Sequence, residues 1–356
     1  MKFKFLFIAQ FLSVIGWAQQ IPTYYSSIDF SQNGNALKYQ LSDLIQSTHD
    51  EELSYTPGVW NTLKMADIDP NQSNKVLLLY GWNDLDDNIY NDRSRDKNAT
   101  CHTIECNNKW VREHVFPRSK GNPNLGFEGP GSDAHHLRAI DYERNSLRSN
   151  FKFTNNTPLS DSYSKVITQG TQSFFFPGDE WKGDVARMIM YMYVRYETQC
   201  LPVNVAAGST SYSPLGDMPN ILLQWNAEDP VSTFEINRNE VIYSVQGNRN
   251  PFIDNPFLAN KIWGGPLAIN TWSNLSDSLF DALEINFYPN PTNDQFHISG
   301  LEEIASYEIH LYDINGRKLN SFYNQNTISI SDYTSGIYWV ELKSENSSLH
   351  KKIVKK

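Results

Sequence analysis

The spacing of apolar residues changes near residue 270, and this change constrains the fold more than any other feature of the chain. Before it, long mixed segments carry apolar residues at helical spacing, as in "KYQLSDLIQSTH" (38–49). The segment "DVARMIMYMYVRY" (184–196) is apolar nearly all round and predicts a buried helix with Asp184 at its N-cap. The part of the chain before residue 270 is therefore predicted to be a mixed α+β domain.

After residue 270 the pattern becomes one of short strands and turns. Apolar residues alternate in "YEIHLY" and in "TISI", an Asn-Gly turn lies in "DINGRK", and "SGIYWVEL" is a further strand. This pattern predicts a small all-β sandwich. The expected organisation is a leader (1–18), a mixed domain (19–270), a linker (271–283) and the sandwich (284–356).

The N-terminus has the pattern of a secretory signal peptide. Lys2 and Lys4 precede the apolar run "FLFIAQFLSVIGWA", which is too short for a membrane-spanning helix and ends in small residues, with cleavage expected near Ala18. No later segment is long and apolar enough to span a membrane. The mature chain is thus expected to be secreted, and to be a monomer.

Charge and cysteine content exclude some classes of protein. A net charge of -10 argues against a protein that coats nucleic acid by bulk electrostatics, although it permits a local basic groove. The three cysteines allow one intramolecular disulfide, whose partners stay open, and leave one thiol. A zinc site at "CHTIEC" is disfavoured because no second ligand pair has the required spacing.

Two neighbouring stretches carry the chemistry. In "NKWVREHVFPRS" (108–119), Glu113 and His114 stand side by side, and the strand is expected to end or bend at this step. In "GSDAHHLRAIDYERNSLRSN" (131–150), a second strand over "DAHHLRAI" precedes a short helix capped by Asp141. On that helix Asn145 and Arg148 are three residues apart and therefore share a face.

The order of strand, Gly/Pro-rich loop, strand and helix suits metal-assisted hydrolysis of a phosphodiester. A neutral His114 can accept a proton from water near neutral pH. Mg²⁺, with Mn²⁺ or Ca²⁺ as alternatives, needs few protein oxygens, and Glu113 and Asn145 supply them. Arg148 or Arg118 can grip a phosphate by two hydrogen bonds. Residues 109–152 contain eight Lys and Arg against five Asp and Glu, so the strip is locally basic.

At these residues the chain resembles the bacterial endonuclease I family of secreted nucleases with a ββα-metal (His-metal finger) core. The stretches "WVREHVFPRS", "SDAHHLRAID" and "NSLRSN" carry the resemblance, which extends over about residues 35–265. It implies His114 as general base, Glu113 and Asn145 as metal ligands, and arginines such as Arg148 as phosphate contacts. The implied substrate is DNA, with RNA as a second candidate, cut with little sequence specificity.

The tail resembles a second family, the C-terminal sorting domain of the type IX secretion system. The stretches "NFYPNPTNDQFHISG", "YEIHLYDINGRKL" and "SGIYWVELKSENSSLHKKIVKK" carry this resemblance. It implies the type IX secretion machinery as a partner. A generic carbohydrate-binding or adhesive sandwich is the alternative.

Several residues keep two interpretations. His135 and His136 are expected to support the loop, with metal or base roles as the alternative. Arg249 either contacts phosphate or stabilises a turn. The acidic run "NDLDDNIYNDRSRD" is expected to be a solvated loop, because it lacks the Gly and Glu of a calcium-binding EF-hand loop. For the whole protein, a non-catalytic surface binder of DNA is the alternative to a nuclease.

Overall fold

The computed structural model describes residues 21–103, 106–155, 161–272, 285–301, 304, 306–314, 317–344 and 347–356. The chain divides into two compact units, with the division between Ser273 and Asn274. The predicted signal peptide, the Asn-Gly turn and most of the predicted linker lie outside the described residues. Thr271 and Trp272, the first two linker residues, pack within the first unit, where the Trp272 ring contacts Tyr25 and Phe30.

The first unit is mixed α/β, as predicted. Its helices are α1 (Gly34–Ser47), α2 (Trp60–Ala66), α3 (Tyr142–Arg148), α4 (Lys182–Tyr196), α5 (Asn220–Glu228), α6 (Thr233–Gln246), α7 (Pro251–Asp254) and α8 (Leu258–Trp263). In α4 every residue from Gly183 to Val194 is buried, which confirms the predicted buried helix. The N-cap is Trp181, three residues before the predicted Asp184, so Asp184 lies in the first turn of the helix.

The strands of the first unit form small sheets. They are β1 (Ile68–Asp69), β2 (Gln72–Leu77), β3 (Ser94–Asp96), β4 (Trp110–His114), β5 (Leu137–Asp141), β6 (Lys152–Phe153), β7 (Lys165–Gln169) and β8 (Gln172–Phe176). The sheet orders are β1-β2-β3, β4-β5 and β6-β8-β7. All pairings are antiparallel except that of β6 with β8, which is parallel.

The β4–β5 hairpin and α3 follow each other in the predicted order. β4 ends at His114, and its register sets Glu113 opposite Arg138 and His114 opposite Leu137. The Asp141 carboxylate accepts a hydrogen bond from the Arg144 backbone N–H at 2.8 Å, which confirms Asp141 as the cap of α3. Apolar side chains of α2, β2, β4 and β5, among them Leu63, Val76, Trp110 and Leu137, form the core under the hairpin.

The second strand is shorter than the sequence predicts. Residues Ala134–His136 form a 3₁₀ turn, and β5 begins only at Leu137. Asp133 starts this turn because its carboxylate accepts a hydrogen bond from the His135 backbone N–H at 2.9 Å. A local side-chain bond therefore competes successfully with strand pairing.

A cluster of buried charges joins the hairpin to the helices. Asp67, which follows α2, is fully buried, and its carboxylate accepts hydrogen bonds from the Ala139 N–H at 2.6 Å and from Arg238 Nε at 2.8 Å. Arg138 Nε lies 3.2 Å from the same carboxylate, and Arg138 Nη1 donates to Asp184 at 3.0 Å. Asp67 thus links β5 with α6, and Arg138 extends the link to α4.

The second unit is all β, as predicted. Its strands are β9 (Asn286–Tyr288), β10 (Gln295–Ser299), β11 (Glu308–Tyr312), β12 (Lys318–Tyr323), β13 (Thr327–Ser329), β14 (Gly336–Ser344) and β15 (Ser347–Lys355). They form two antiparallel sheets of order β13-β10-β9 and β12-β11-β14-β15. Alternating residues of both sheets, including Phe296, Ile309 and Val340, share one hydrophobic core.

The structure also bears on the predictions about the cysteines and about membrane-spanning segments. Cys101 and Cys106 form a disulfide, which removes both thiols of "CHTIEC" from metal binding, and Cys200 is a buried free thiol. Within the described residues, no helix has the length and apolar character that crossing a membrane requires.

We predict that Asp67→Ala lowers the free energy of unfolding by about 3–5 kcal/mol, because it leaves Arg138 and Arg238 buried without their shared carboxylate. Asp67→Asn keeps the volume but removes the charge and one of the two accepting oxygens. The control Asp43→Ala removes an exposed carboxylate on α1 and should change stability by less than about 0.5 kcal/mol. Urea unfolding followed by tryptophan fluorescence measures the difference. Equal losses at positions 67 and 43 would contradict the role of the cluster.

Candidate active site

An open cleft of about 420 Å³ lies where the end of β4 meets α3. It is lined by charged and polar side chains from four segments of the chain. These are Tyr55, Arg112, Glu113, His114, Pro117, Arg118, Ser119, Asn124, Asn145 and Ser149. Of the residues that the sequence singles out, the structure therefore brings together Glu113, His114, Arg118 and Asn145.

His114 is held by a hydrogen bond that defines its tautomer. Its Nε2 lies 2.9 Å from the Gly131 carbonyl oxygen, and because a carbonyl only accepts, Nε2 carries the proton. Nδ1 is then the proton acceptor of the ring. The ring also stacks on Tyr55, with 5.6 Å between centroids. Burial, with a smaller contribution from His136, lowers the pKa of His114 well below its usual value, so the imidazole is neutral at neutral pH.

A second histidine, His136, also binds the loop that accepts the hydrogen bond of His114. His136 is fully buried, and its Nε2 donates to the Pro130 carbonyl at 2.7 Å, next to the Gly131 carbonyl that His114 uses. Gly131 has to be glycine, since a Cβ there would overlap the Gly126 carbonyl oxygen. The two imidazoles thus hold consecutive carbonyls of the 3₁₀ turn Gly129–Gly131.

His135 faces away from this loop. Its Nε2 donates to the Asn248 carbonyl at 3.2 Å, and its ring packs on Tyr191 at 4.4 Å. Burial lowers the pKa of both His135 and His136 to about 4, so both are neutral at neutral pH. The bond of His136 to Pro130 favours the expected role in supporting the loop, whereas His135 contacts a different segment of the chain. Neither residue lines the cleft.

Glu113 is a buried carboxylate at the floor of the cleft. Only 3% of the residue is exposed, and its Oε1 lies 2.8 Å from Arg148 Nε and accepts a hydrogen bond from the Tyr80 hydroxyl at 3.3 Å. Burial raises the pKa of Glu113 to about 7, although Arg148 and Tyr80 act in the opposite direction. A group with this pKa is balanced between its two forms near neutral pH, and a cation beside it favours the charged form.

The donor set of the cleft fits a hard divalent cation. Glu113 and Asn145, whose side chains carry oxygen donors, line one cleft, and Mg²⁺ uses one or two carboxylates together with waters and substrate phosphate. The Asn145 side chain makes no hydrogen bond within the described part of the chain. Among the described residues, no three His, Cys, Asp or Glu side chains gather as a closed zinc-type site would require.

Arg148 does not lie where the sequence predicts. It is fully buried, its Nη1 donates to the Ser149 and Phe151 carbonyls at 3.2 and 2.8 Å, and its Nη2 donates to the Val115 carbonyl. With Nε beside Glu113, the guanidinium is used entirely inside the protein. A direct phosphate contact from Arg148 therefore disagrees with the structure, because no part of the side chain reaches the cleft.

Arg249 is also an internal residue. It forms paired hydrogen bonds with Glu240 and with Asp254 at 2.6–3.1 Å, and 8% of it is exposed. It does not line the cleft. Of the two sequence interpretations, the turn-stabilising one agrees with these contacts and the phosphate contact does not.

Tyr55 in the cleft and Phe127 at its margin are aromatic residues that the sequence does not single out as functional. Phe127, which is 53% exposed, lies 4.9 Å from Tyr55 between ring centroids, and the Arg118 guanidinium covers its ring at 3.8 Å. The Arg112 guanidinium covers the Tyr55 ring at 3.4 Å. Tyr55 and Tyr80 are distant in sequence from Glu113 and His114, so no local pattern connects them. Arg112 and Arg118 flank the pair and are visible in the sequence.

Comparisons with known proteins identify the families that the two units resemble. The model of the Endonuclease I family matches residues 33–257, and the model of the secretion system C-terminal sorting domain matches residues 286–356. An extracellular ribonuclease of Bacillus subtilis is 40% identical over 252 residues, which cover 68% of this chain and 78% of the relative. An extracellular ribonuclease of Bacillus amyloliquefaciens is 39% identical over 262 residues, 70% of this chain and 81% of the relative.

Both family resemblances expected from the sequence are thereby confirmed, and the non-catalytic surface binder and the generic adhesive sandwich are set aside. The sorting domain marks the protein for secretion. The chain belongs to the endonuclease I family and is a secreted nuclease with its sorting domain at the C-terminus.

Proposed function

We propose that this protein is a divalent-metal-dependent endonuclease of low sequence specificity that hydrolyses phosphodiester bonds in both DNA and RNA. The observation that carries the proposal is the pairing of His114 and Glu113 in one cleft. His114 is neutral, oriented through Nε2 and left with Nδ1 as acceptor, while Glu113 lies beside it as an oxygen ligand.

His114 acts as the general base. A water molecule that attacks phosphorus has to lose a proton, and Nδ1 of a neutral imidazole accepts it. The bond from Nε2 to the Gly131 carbonyl keeps the ring in the correct tautomer and stabilises the imidazolium that forms. Tyr55 restricts ring rotation by stacking on one face.

Glu113 and Asn145 would hold the metal ion. When bound, Mg²⁺ supplies positive charge that stabilises the phosphate oxygens as negative charge develops on them. Arg148 acts as a positioning residue: it holds one carboxylate oxygen of Glu113 and ties α3 to the segment after β4 through the Val115 carbonyl. Tyr80 orients the same oxygen by its hydroxyl.

Arg118 is the phosphate contact among the predicted arginines. Its guanidinium lines the cleft and is partly exposed, and among the described residues it makes only a 3.3 Å hydrogen bond with the Gly126 carbonyl besides its contact with Phe127. Its remaining N–H groups are available for a phosphate oxygen pair. Arg112 lines the same cleft and adds positive charge.

The proposed chemistry applies to both nucleic acids. Water is the nucleophile, so the 2′-hydroxyl of RNA takes no part, and DNA is cut by the same groups. The names of the two relatives, extracellular ribonucleases, support RNA as a substrate. Low specificity follows because the cleft groups suit phosphate, which carries no sequence information.

The proposal is tested with purified protein on an RNA and a DNA strand of the same sequence, each with Mg²⁺ and with EDTA. We expect both strands to be cut at many positions with Mg²⁺, neither to be cut in EDTA, and no 2′,3′-cyclic phosphate at the RNA ends. Cleavage of RNA alone with cyclic ends would contradict water as the nucleophile. Undiminished cleavage in EDTA would contradict the metal.

We predict that His114→Ala lowers kcat by about 10²–10⁴-fold, the contribution of a general base. The affinity for a labelled oligonucleotide and the melting temperature should change little, because Arg118, Arg112 and the core remain. His102→Ala, which removes an exposed imidazole from the same unit, is the matched control. A His114→Ala enzyme that keeps more than about a tenth of the wild-type rate would refute the assignment.

We predict that Glu113→Gln and Asn145→Ala each raise the Mg²⁺ concentration for half-maximal rate, since each removes a ligand oxygen or its charge. The change at Glu113 should be larger, because it removes a negative charge as well. Glu143→Gln, on the first turn of the same helix as Asn145, is the control. Identical Mg²⁺ titrations for wild type and both variants would show that other residues bind the metal.

We predict opposite effects for two arginines. Arg118→Gln should raise KM by about tenfold with little change in stability, because it removes a charged phosphate contact. Arg249→Gln should leave KM unchanged and lower the free energy of unfolding by about 1.5–3 kcal/mol, because Asp254 loses its charged partner. Steady-state kinetics and urea unfolding of both variants measure the effects. The reverse pattern would restore Arg249 as a substrate contact.

A further inference from the structure

A second concavity adjoins the active-site cleft. It has a volume of about 640 Å³, larger than the cleft, and its lining includes Lys120, Asn150, Phe151, Lys152 and Phe174. Residues of the segment 203–208, which hydrogen-bonds to β6 through Phe153, also line it. We call this concavity the β6–β8 groove, because Lys152 belongs to β6 and Phe174 to β8.

The β6–β8 groove and the cleft share a ridge. Ser119 and Ser149 line the cleft, and the residues that follow them, Lys120 and Asn150, line the groove. The ridge is closed by a hydrogen bond of 3.2 Å from Asn150 Nδ2 to Ser119 Oγ. A bound polymer that leaves the cleft over these two segments therefore enters the groove directly, because neighbouring residues line the two concavities.

The groove alternates positive charge with aromatic surface. Its lining contains two lysines and no Asp or Glu. Lys152 lies opposite Phe174 in the parallel pairing of β6 with β8, so a cation and a ring stand on adjacent strands. Phe151 and Phe174 are both partly exposed, whereas the next residue along β8, Phe175, is fully buried in the core.

The lysines keep donors for a ligand. Lys152 Nζ donates one hydrogen bond to the Val203 carbonyl at 2.7 Å and retains two further N–H groups. The Lys120 ammonium has no hydrogen bond or ion pair within the described part of the chain. Both can therefore contact an anion without breaking an internal ion pair.

Resting on the proposed nuclease function, we propose that the β6–β8 groove binds unpaired nucleotides of the substrate strand beyond the cleft. Cations that follow the backbone and rings on which bases stack are the combination that recognises single strands irrespective of sequence. Paired bases cannot enter a concavity of this kind, because their faces and edges are covered by the duplex. The protein therefore selects substrates that are single-stranded next to the cut bond.

The test compares Lys120→Gln, Phe174→Leu and the control Lys109→Gln, which removes an exposed lysine just before β4. The substrates are a dinucleotide, a single-stranded octanucleotide and the same octanucleotide annealed to its complement. Each groove variant should lower kcat/KM for the single-stranded octanucleotide. This loss should be about tenfold larger than the loss that the same variant shows on the dinucleotide. The wild-type preference for single strand over duplex should fall by a similar factor.

Binding separates this inference from the proposed function. Binding of the labelled octanucleotide is measured by fluorescence anisotropy in the His114→Ala background. Each groove variant should bind about tenfold more weakly, whereas Lys109→Gln should leave the affinity unchanged. Unchanged binding, or an equal loss of kcat/KM on the dinucleotide and the octanucleotide, would refute the proposed role of the groove. Absent cleavage by the wild type together with weakened binding by the variants would overturn the nuclease chemistry and support the groove.

Discussion

The geometry of the site depends on the buried carboxylate of Asp67. It holds the Ala139 N–H and Arg138 on β5, and Arg238 on α6, in one desolvated cluster. Burying charges is costly, and removing one partner of a buried ion pair leaves the other charge uncompensated. Any displacement of β5 that separates Arg138 from Asp67 therefore carries this cost. Since β5 pairs with β4 in a fixed register, Asp67 indirectly sets where Glu113 and His114 leave the sheet.

A second layer of constraints orients the individual groups of the cleft. His114 and His136 bond consecutive carbonyls of one 3₁₀ turn, while Arg148 and Tyr80 bond one oxygen of Glu113. Each of these side chains exchanges solvent contacts for a fixed partner. The proposed general base and metal ligand are consequently oriented before substrate arrives, which reduces the reorganisation that the reaction requires.

The order of strand, loop, strand and helix is readable from sequence because its signals are local. Asp141 is a cap three residues before the backbone N–H that it binds, and Asn145 lies on the helix that this cap starts. Two misreadings have equally definite causes. The Asp133 side chain bonds a backbone N–H two residues later and so makes residues 134–136 a 3₁₀ turn, and Arg148 has internal partners where the sequence predicted a phosphate contact.

The sequence by itself determined the division into a mixed unit and an all-β unit, the family, and the proximity of Glu113, His114 and Asn145, because periodicity, caps and motif order act over a few residues. Only the tertiary structure decided which arginines face the cleft, that Tyr55 and Tyr80 contact the reactive pair, and that a groove follows the cleft. An arginine carries the same charge wherever it lies. Its role depends on the carboxylates and carbonyls that distant segments of the chain bring within hydrogen-bond reach. No local sequence pattern encodes which of these partners will lie nearby.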